Sequence, residues 1–195
     1  MPKLSAAARA RKIKLILFDV DGVLTDGKIW IFPAPASPQP GSGASGLQSA
    51  SLIEAKGFHA HDGTAIMLAR MAGIKTGIIT KRNSETVALR ARDLKIDHVY
   101  QGIQDKASVF AQILQKDGIT AAEAAFVGDD VIDLPAMRHC GLAIAVKNAR
   151  PEVKAEAHWT TPHAGGDGAA RDAVEYILKA QGKWKKILEE YVALR

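Results

Sequence analysis

An unbroken apolar run, Leu15-Ile16-Leu17-Phe18, that stops at two carboxylates one residue apart, Asp19 and Asp21, leaves a chain few ways to fold. Four consecutive apolar residues offer no polar face to water, so the run reads as a strand buried on both sides, as in a parallel sheet covered by helices. In such a sheet the site lies at the carboxyl ends of the strands. Asp-x-Asp after an apolar run also occurs as a turn or a helix cap, so the pair takes its meaning from the rest of the chain.

The rest of the chain alternates. From residue 62 it predicts helices over 63–72, 84–94 and 107–116, a short helix over 135–139 and a terminal helix over 170–180. Between them come strands over 75–80, 97–100, 124–127 and 142–146. Strand and helix in turn, with strands read as continuous apolar runs, predict a single α/β domain over 1–195: a doubly wound, Rossmann-like parallel sheet with helices on both faces.

Two stretches interrupt the pattern. Residues 1–12, rich in Ala, Lys and Arg, have no long apolar face and read as a loose or marginally helical basic leader. Residues 28–32, with Trp30 and Phe32, read as a strand, then 33–51 form a Pro/Gly/Ser-rich flexible insertion holding Pro33, Pro35, Pro38 and Pro40. Each doubling of a loop costs only about 0.6 kcal/mol, so residues 52–55 can still return as the partner strand of a hairpin flap.

Composition narrows the function classes. The 195 residues are 47% hydrophobic and 24% charged, with a formal net charge of +5, as expected of a folded domain. The basic residues gather near the ends, from Lys3 to Lys14 and from Lys179 to Lys186, and Trp30, Trp159 and Trp184 are too dispersed to stack bases, so a small anionic substrate is favoured over nucleic acid. Cys140 is alone, which points to a reducing cytoplasm. The basic start is followed by too short an apolar run for a signal peptide, and no stretch approaches the roughly 20 apolar residues of a membrane span.

Polar signals follow each of four core strands: Asp19 and Asp21, then Thr80, then Lys106, then Asp129, Asp130 and Asp133. Bringing Asp19 near Asp129 and Asp130 demands a cation, and carboxylate oxygens suit Mg²⁺. A phosphate beside that metal accounts for the Lys106 charge and the Thr80 hydroxyl. Asp19 is then a carboxylate nucleophile that attacks phosphorus, and Asp21 protonates the leaving oxygen and later activates water. Uncatalysed phosphate-monoester hydrolysis needs accelerations up to about 10²¹, against only about 10²–10⁴ from one general acid, so all the parts are needed.

Other residues have plainer readings beside functional ones. Asp133 before Leu134-Pro135 reads as a helix cap or metal support. Lys106 opens a helix, where the macrodipole disfavours a cation, and that favours a phosphate role. Arg82 and Arg171 are either surface ion-pairing residues or contacts for a substrate anion. His59 and His61 lack a Cys or third His for a transition-metal site, and His163 reads as a loop residue.

Asp19-Val20-Asp21-Gly22-Val23, Thr80, Lys106 and Gly128-Asp129-Asp130-Val131-Ile132-Asp133 match, in order, the four motifs of the haloacid dehalogenase-like phosphatases. The extended first motif through Gly27, Phe58-His59-Ala60-His61-Asp62-Gly63, and Gly165-Gly166-Asp167-Gly168-Ala169 resemble the capless branch containing the 3-deoxy-D-manno-octulosonate (KDO) 8-phosphate phosphatases. The resemblance implies a Mg²⁺-dependent phosphatase of lipopolysaccharide precursor synthesis, a homotetramer in which hairpin flaps pack together. It assigns Asp19, Asp21, Thr80 and Lys106 to catalysis, Asp19, Asp21, Asp129 and Asp130 to the metal, and Arg82, Asp62 and Arg171 to a sugar phosphate. Lys81 stands where relatives usually have Gly, and His61 where many have Arg, both in specificity territory. A nonulosonate 9-phosphate phosphatase is the alternative substrate reading, and a non-catalytic phosphatase-like binding module the alternative class.

Overall fold

In the computed structural model, which describes residues 4–33 and 52–193, the chain enters through a short helix, α1 (Ala6–Ala10). The basic leader, expected to be loose or marginally helical, thus carries a short helix where it is described. Ser5 Oγ caps the helix by accepting from Ala8 N at 3.2 Å, and Ala10 is buried. Long-range hydrogen bonds replace the missing apolar face: Arg9 donates to Gly141 O at 2.7 Å, and Gln181 Nε2 donates to Ala10 O and Ile13 O at 3.2 and 2.7 Å.

β1 (Leu15–Phe18) is buried along its whole length, as its unbroken apolar run requires. The hairpin comes next, as predicted, with β2 (Trp30–Pro33) antiparallel to β3 (Leu52–Ala55) and Trp30 opposite Ala55. The rest of the Pro/Gly/Ser-rich insertion, 34–51, lies outside the described residues.

Beyond the hairpin come α2 (Ala60–Met71), β4 (Lys75–Ile79), α3 (Glu85–Asp93), β5 (His98–Tyr100), α4 (Lys106–Asp117) and β6 (Ala124–Gly128). Asp105 caps α4, accepting from Ala107 N and Ser108 N, and Gly118 ends it in the left-handed conformation. The chain continues through α5 (Leu134–Met137), β7 (Leu142–Ala145), α6 (Pro151–Glu156), β8 (Trp159–Thr160), α7 (Ala169–Ala180) and α8 (Trp184–Ala193).

The helix expected to be terminal is thus followed by another. Trp184, Ile187, Leu188 and Tyr191 stand at i, i+3, i+4 and i+7 and supply the apolar stripe of α8, a pattern hidden among lysines and glutamates. α6 and β8 were also unanticipated, because each is too short to show a period.

The six strands of the main sheet run in the order β5-β4-β1-β6-β7-β8, all parallel. β1 lies centrally, with Leu15 beside Lys75 on one flank and Ala124 on the other. The chain winds outward in both directions from this strand, so the crevice at its carboxyl end is the switch point where ligands bind in open α/β sheets. Helices α1, α2, α7 and α8 pack together in one layer, and α4, α5 and α6 in the other. Phe18, Phe110 and Phe126 are the largest fully buried side chains between the layers. From β1 to β4 the described residues form only the hairpin and α2, with no large cap. Among the described residues no helix is long and apolar enough to cross a membrane.

Candidate active site

The turn after β1 is wound tightly around one carbonyl. Val20 O accepts from Val23 N, Leu24 N and Thr25 N at 3.2, 3.0 and 3.0 Å. Gly22 at φ +90° makes this possible, and a Cβ there would stand 2.2 Å from Asp129 Oδ2. That approach of the β1 turn to the end of β6 is what lets two acidic loops share one space. From the other side, a Cβ on Gly165 would lie 1.6 Å from Gly22 O, while Gly166 N donates to Val23 O at 3.0 Å. The glycines that resembled a family motif are thus the wall against which the turn after β1 rests.

Asp19, Asp129 and Asp133 each place a carboxylate oxygen within 4.8 Å of the other two. Among the described residues this is the only group of His, Cys, Asp and Glu side chains able to hold a metal ion. Lys106 Nζ, from the first turn of α4, approaches Asp133 Oδ1 at 2.6 Å and Asp19 Oδ1 at 2.9 Å. The first contact is a hydrogen bond; the second is an ion pair without hydrogen-bond alignment, which leaves Asp19 Oδ1 without a hydrogen-bond partner. Asp129 Oδ1 is likewise buried and unpaired. Buried anionic oxygens without donors are costly, and these converge where a hard divalent cation would satisfy them. The donor set, all oxygen, fits Mg²⁺.

The electrostatics carry the same strain. Burial and then the charge of Asp133 raise the Asp19 carboxyl to about 6, against the pull of Lys106. Burial, then Asp133, Asp19 and Asp130, raise Asp129 to about 7. Burial alone would lower the Lys106 ammonium, but Asp133 and Asp19 outweigh it, so its pKa is raised and it stays charged. Three carboxylates against one lysine leave a net −2 when all are ionised, the deficit a divalent cation cancels.

Asp133 and Asp130 point in different directions. Asp133 is fully buried, and its Oδ2 accepts from Asp129 N at 2.9 Å and Asp130 N at 3.3 Å, so it both folds the loop and joins the acidic cluster. Asp130 is exposed, and its Oδ1 accepts from Val131 N at 2.7 Å. It lies at the rim, outside the trio. Both carboxylates accept from backbone N–H groups of the loop, but only Asp133 does so from within the acidic cluster.

An open cleft of about 480 Å³ lies over the strand ends, lined by Asp19, Asp21, Thr80, Arg82, Asp129 and Asp130, among others. Lys81 also lines it, while the buried Lys106 sits beneath. Arg82 Nε stands 3.9 Å from Asp21 Oδ2, so this predicted anion contact does reach the site.

The other two predicted substrate residues do not reach this cleft within one chain. Asp62 is buried at the start of α2, where its Oδ1 accepts from Arg171 N at 2.8 Å and tethers α2 to α7. Burial pushes its carboxyl up, against the hydrogen bond from the Arg171 backbone. Arg171 pairs with Glu175 Oε1 at 2.6 Å and lies over the Trp184 ring at 5.0 Å. It lines a separate depression together with His61 and His163. His59 caps α2 by accepting from His61 N at 3.3 Å.

Lys56 was not anticipated. Its ammonium, one residue past β3, pairs with Asp21 Oδ1 and lies 4.0 Å from Glu54 Oε1. The only sequence signal was the Glu54/Lys56 spacing, which places two charges on one face of an extended segment.

Residues 80–171 match the haloacid dehalogenase-like hydrolase family. The chain is 39% identical over 176 residues to the KDO 8-phosphate phosphatase KdsC of Escherichia coli strain K12, covering 90% of this chain and 85% of that protein. It superposes on the crystal structure of the KDO 8-phosphate phosphatase from Moraxella catarrhalis in complex with magnesium, phosphate and KDO with a TM-score of 0.82. That alignment has 33% identity and covers 95% of this chain and 97% of the other. The cobalt-bound form of the corresponding Haemophilus influenzae phosphatase aligns with a TM-score of 0.75 at 34% identity, over 90% of this chain and 93% of that one. With the acidic trio, its lysine and the sheet order already in place, this kinship makes the chain a member of the haloacid dehalogenase-like hydrolases, in the family of the KDO 8-phosphate phosphatases.

Proposed function

We propose that this chain is a Mg²⁺-dependent phosphatase that hydrolyses 3-deoxy-D-manno-octulosonate 8-phosphate to the free sugar acid and phosphate. The observation that carries the reading is the convergence of Asp19, Asp129 and Asp133 within 4.8 Å, beneath a cleft that also holds Asp21 and Thr80. Asp19 and Asp129, with a contribution from the Asp21 backbone carbonyl, would hold Mg²⁺, and Asp130 or Asp133 would support it through water. Bound there, the metal supplies charge that offsets repulsion between an anionic nucleophile and an anionic phosphate.

The chain's own residues divide the work. An Asp19 carboxylate oxygen forms a bond to phosphorus as the phosphorus–oxygen bond of the ester breaks, and Asp21 gives its proton to the departing sugar oxygen. Asp21 then takes a proton from water, whose oxygen bonds to phosphorus as the bond to Asp19 breaks, restoring the Asp19 carboxylate and the protonated Asp21. Lys106 and the Thr80 hydroxyl hold phosphoryl oxygens during both steps. Arg82, at the cleft, is placed to contact the sugar acid. Arg171 and Asp62 would contribute to sugar binding only by supporting another wall.

The test is a steady-state screen with Mg²⁺ of octulosonate, nonulosonate and hexose phosphates. KDO 8-phosphate is expected to lead, and Asp19→Asn to abolish turnover of every substrate. A preference of about tenfold or more for a hexose phosphate, some 1.4 kcal/mol, would overturn the substrate assignment.

Assembly as a homotetramer is the matching quaternary reading. The hairpin supports it, because Trp30, Ile31, Phe32, Leu52 and Ile53 all stand exposed. Sedimentation of the parent and of Ile31→Lys, expected to dissociate, tests it. A role in lipopolysaccharide precursor synthesis in the cytoplasm completes the proposal, supported by the lone Cys140 and the KdsC kinship.

A further inference from the structure

The two carboxylates of the turn after β1 are met by different lysines. Lys106 serves Asp19 from α4, whereas Lys56 serves Asp21 from the end of the hairpin. The Lys56 side chain is fully buried, and Asp21 keeps about a fifth of its surface exposed, at 20%. A buried ammonium is costly unless paired, so the contact with Asp21 is the arrangement that makes this lysine tolerable.

The hairpin end that carries Lys56 is itself fastened to the loop between β4 and α3 and to the first turn of α3. Glu54 accepts a hydrogen bond from Ser84 Oγ, and its carbonyl accepts from Thr86 Oγ1 at 3.2 Å. Arg82 Nη2 lies 3.7 Å from Glu54 Oε2. Glu54 and Lys56, two apart on extended backbone, project to the same side. The return strand therefore docks through Glu54 and delivers one cation to Asp21. Lys56 is absent from the cleft lining, which includes Asp21 and Arg82.

We propose that Lys56 is a positioning residue: it holds the Asp21 carboxylate in the orientation needed at the leaving oxygen, so that docking of the hairpin sets the acid–base step. The inference rests on the reading of Asp21 as the acid–base group. It concerns where the carboxylate points, and it assigns Lys56 no contact with substrate.

Leaving-group dependence tests it. A sugar alkoxide needs a proton to depart, whereas the phenolate of an activated aryl phosphate departs without one, so only the first feels a misplaced acid. Since a general acid is worth about 10²–10⁴, Lys56→Met is expected to lower kcat/KM for the sugar phosphate by about 10- to 100-fold. With aryl phosphate kcat/KM should change by less than about threefold, because it reports only steps up to departure of the leaving group; hydrolysis of the phosphoenzyme, where Asp21 serves as base for both substrates, enters kcat alone. Lys56→Arg, which keeps the cation, is expected to recover most of the sugar-phosphate rate. If the Met variant fails to fold, Lys56→Gln carries the same comparison. Equal losses of kcat/KM on both substrates, or no loss of it on the sugar phosphate, would overturn the proposal. Failure of the phosphatase reading looks different: the parent would be inactive on both substrates.

Discussion

Replacing Asp129 by Asn should make the metal-free protein more stable and the metal-bound protein less so. In the folded chain burial and three neighbouring carboxylates raise Asp129 from 3.8 to about 7. A carboxyl raised on folding contributes stability that is full below its unfolded pKa and is lost as pH rises through the folded value. The metal-free parent should therefore weaken between about pH 4 and pH 7. About three pKa units at 1.36 kcal/mol each set an upper bound of roughly 4 kcal/mol on the loss.

Asparagine removes the charge but brings an amide whose donors need partners, a cost of about 1–3 kcal/mol if they are unmet. The net expectation without metal at pH 8 is a gain of about 1–3 kcal/mol, or about 3–10 °C in Tm for a domain of this size. Near pH 4 that gain should vanish. Mg²⁺ at a hundred times its Kd should stabilise the parent by about 2.7 kcal/mol and the variant far less, reversing the order. Thermal melts of both proteins at pH 4 and pH 8, with EDTA or Mg²⁺, read all of this. A variant less stable than the parent at pH 8 in EDTA, or equal Mg²⁺ shifts in both, would refute the reasoning.

Gly22→Ala should blunt the Mg²⁺ shift, because a left-handed alanine costs about 1–2 kcal/mol and its Cβ would meet Asp129 Oδ2 at 2.2 Å; an undiminished Mg²⁺ titration by thermal melt would count against it. Asp62→Ala strands Arg171 N and should cost about 1–3 kcal/mol in a urea melt with little change in kcat. A raised KM at unchanged stability would instead return Asp62 to the substrate. Gln181→Leu removes both donors to the α1 region and should speed amide hydrogen exchange across Ala6–Ala10, leaving β1 protected. Unchanged exchange there would mean that Arg9 alone holds the leader.

Much of this could be read along the chain, since the features concerned are local. Apolar runs such as Leu15–Phe18 declare buried strands, and the alternation of periods predicts a doubly wound sheet. Once the sheet is parallel, the strand ends must share an edge, and that suffices to gather Asp19, Thr80, Lys106 and Asp129. The hairpin was legible too, because the turn residues around 33–51 cannot continue either strand.

Side-chain direction was not legible. Whether Asp130 or Asp133 faces the acidic cluster depends on which carboxylate the loop uses to satisfy its own N–H groups, and only the folded loop selects between them. Arg171 is a residue type suited to a substrate anion and Asp62 one suited to sugar hydroxyls, yet the packing of α7 on α2 turns both to other partners. Docking of α1 rests on bonds from Arg9 and Gln181 that span more than a hundred residues, and no local period encodes them. The turn opening at Asp19 was visible from the first strand. Its second lysine, Lys56, was decided by tertiary structure, because a burial shared between a hairpin and a sheet edge exists only once both are in place.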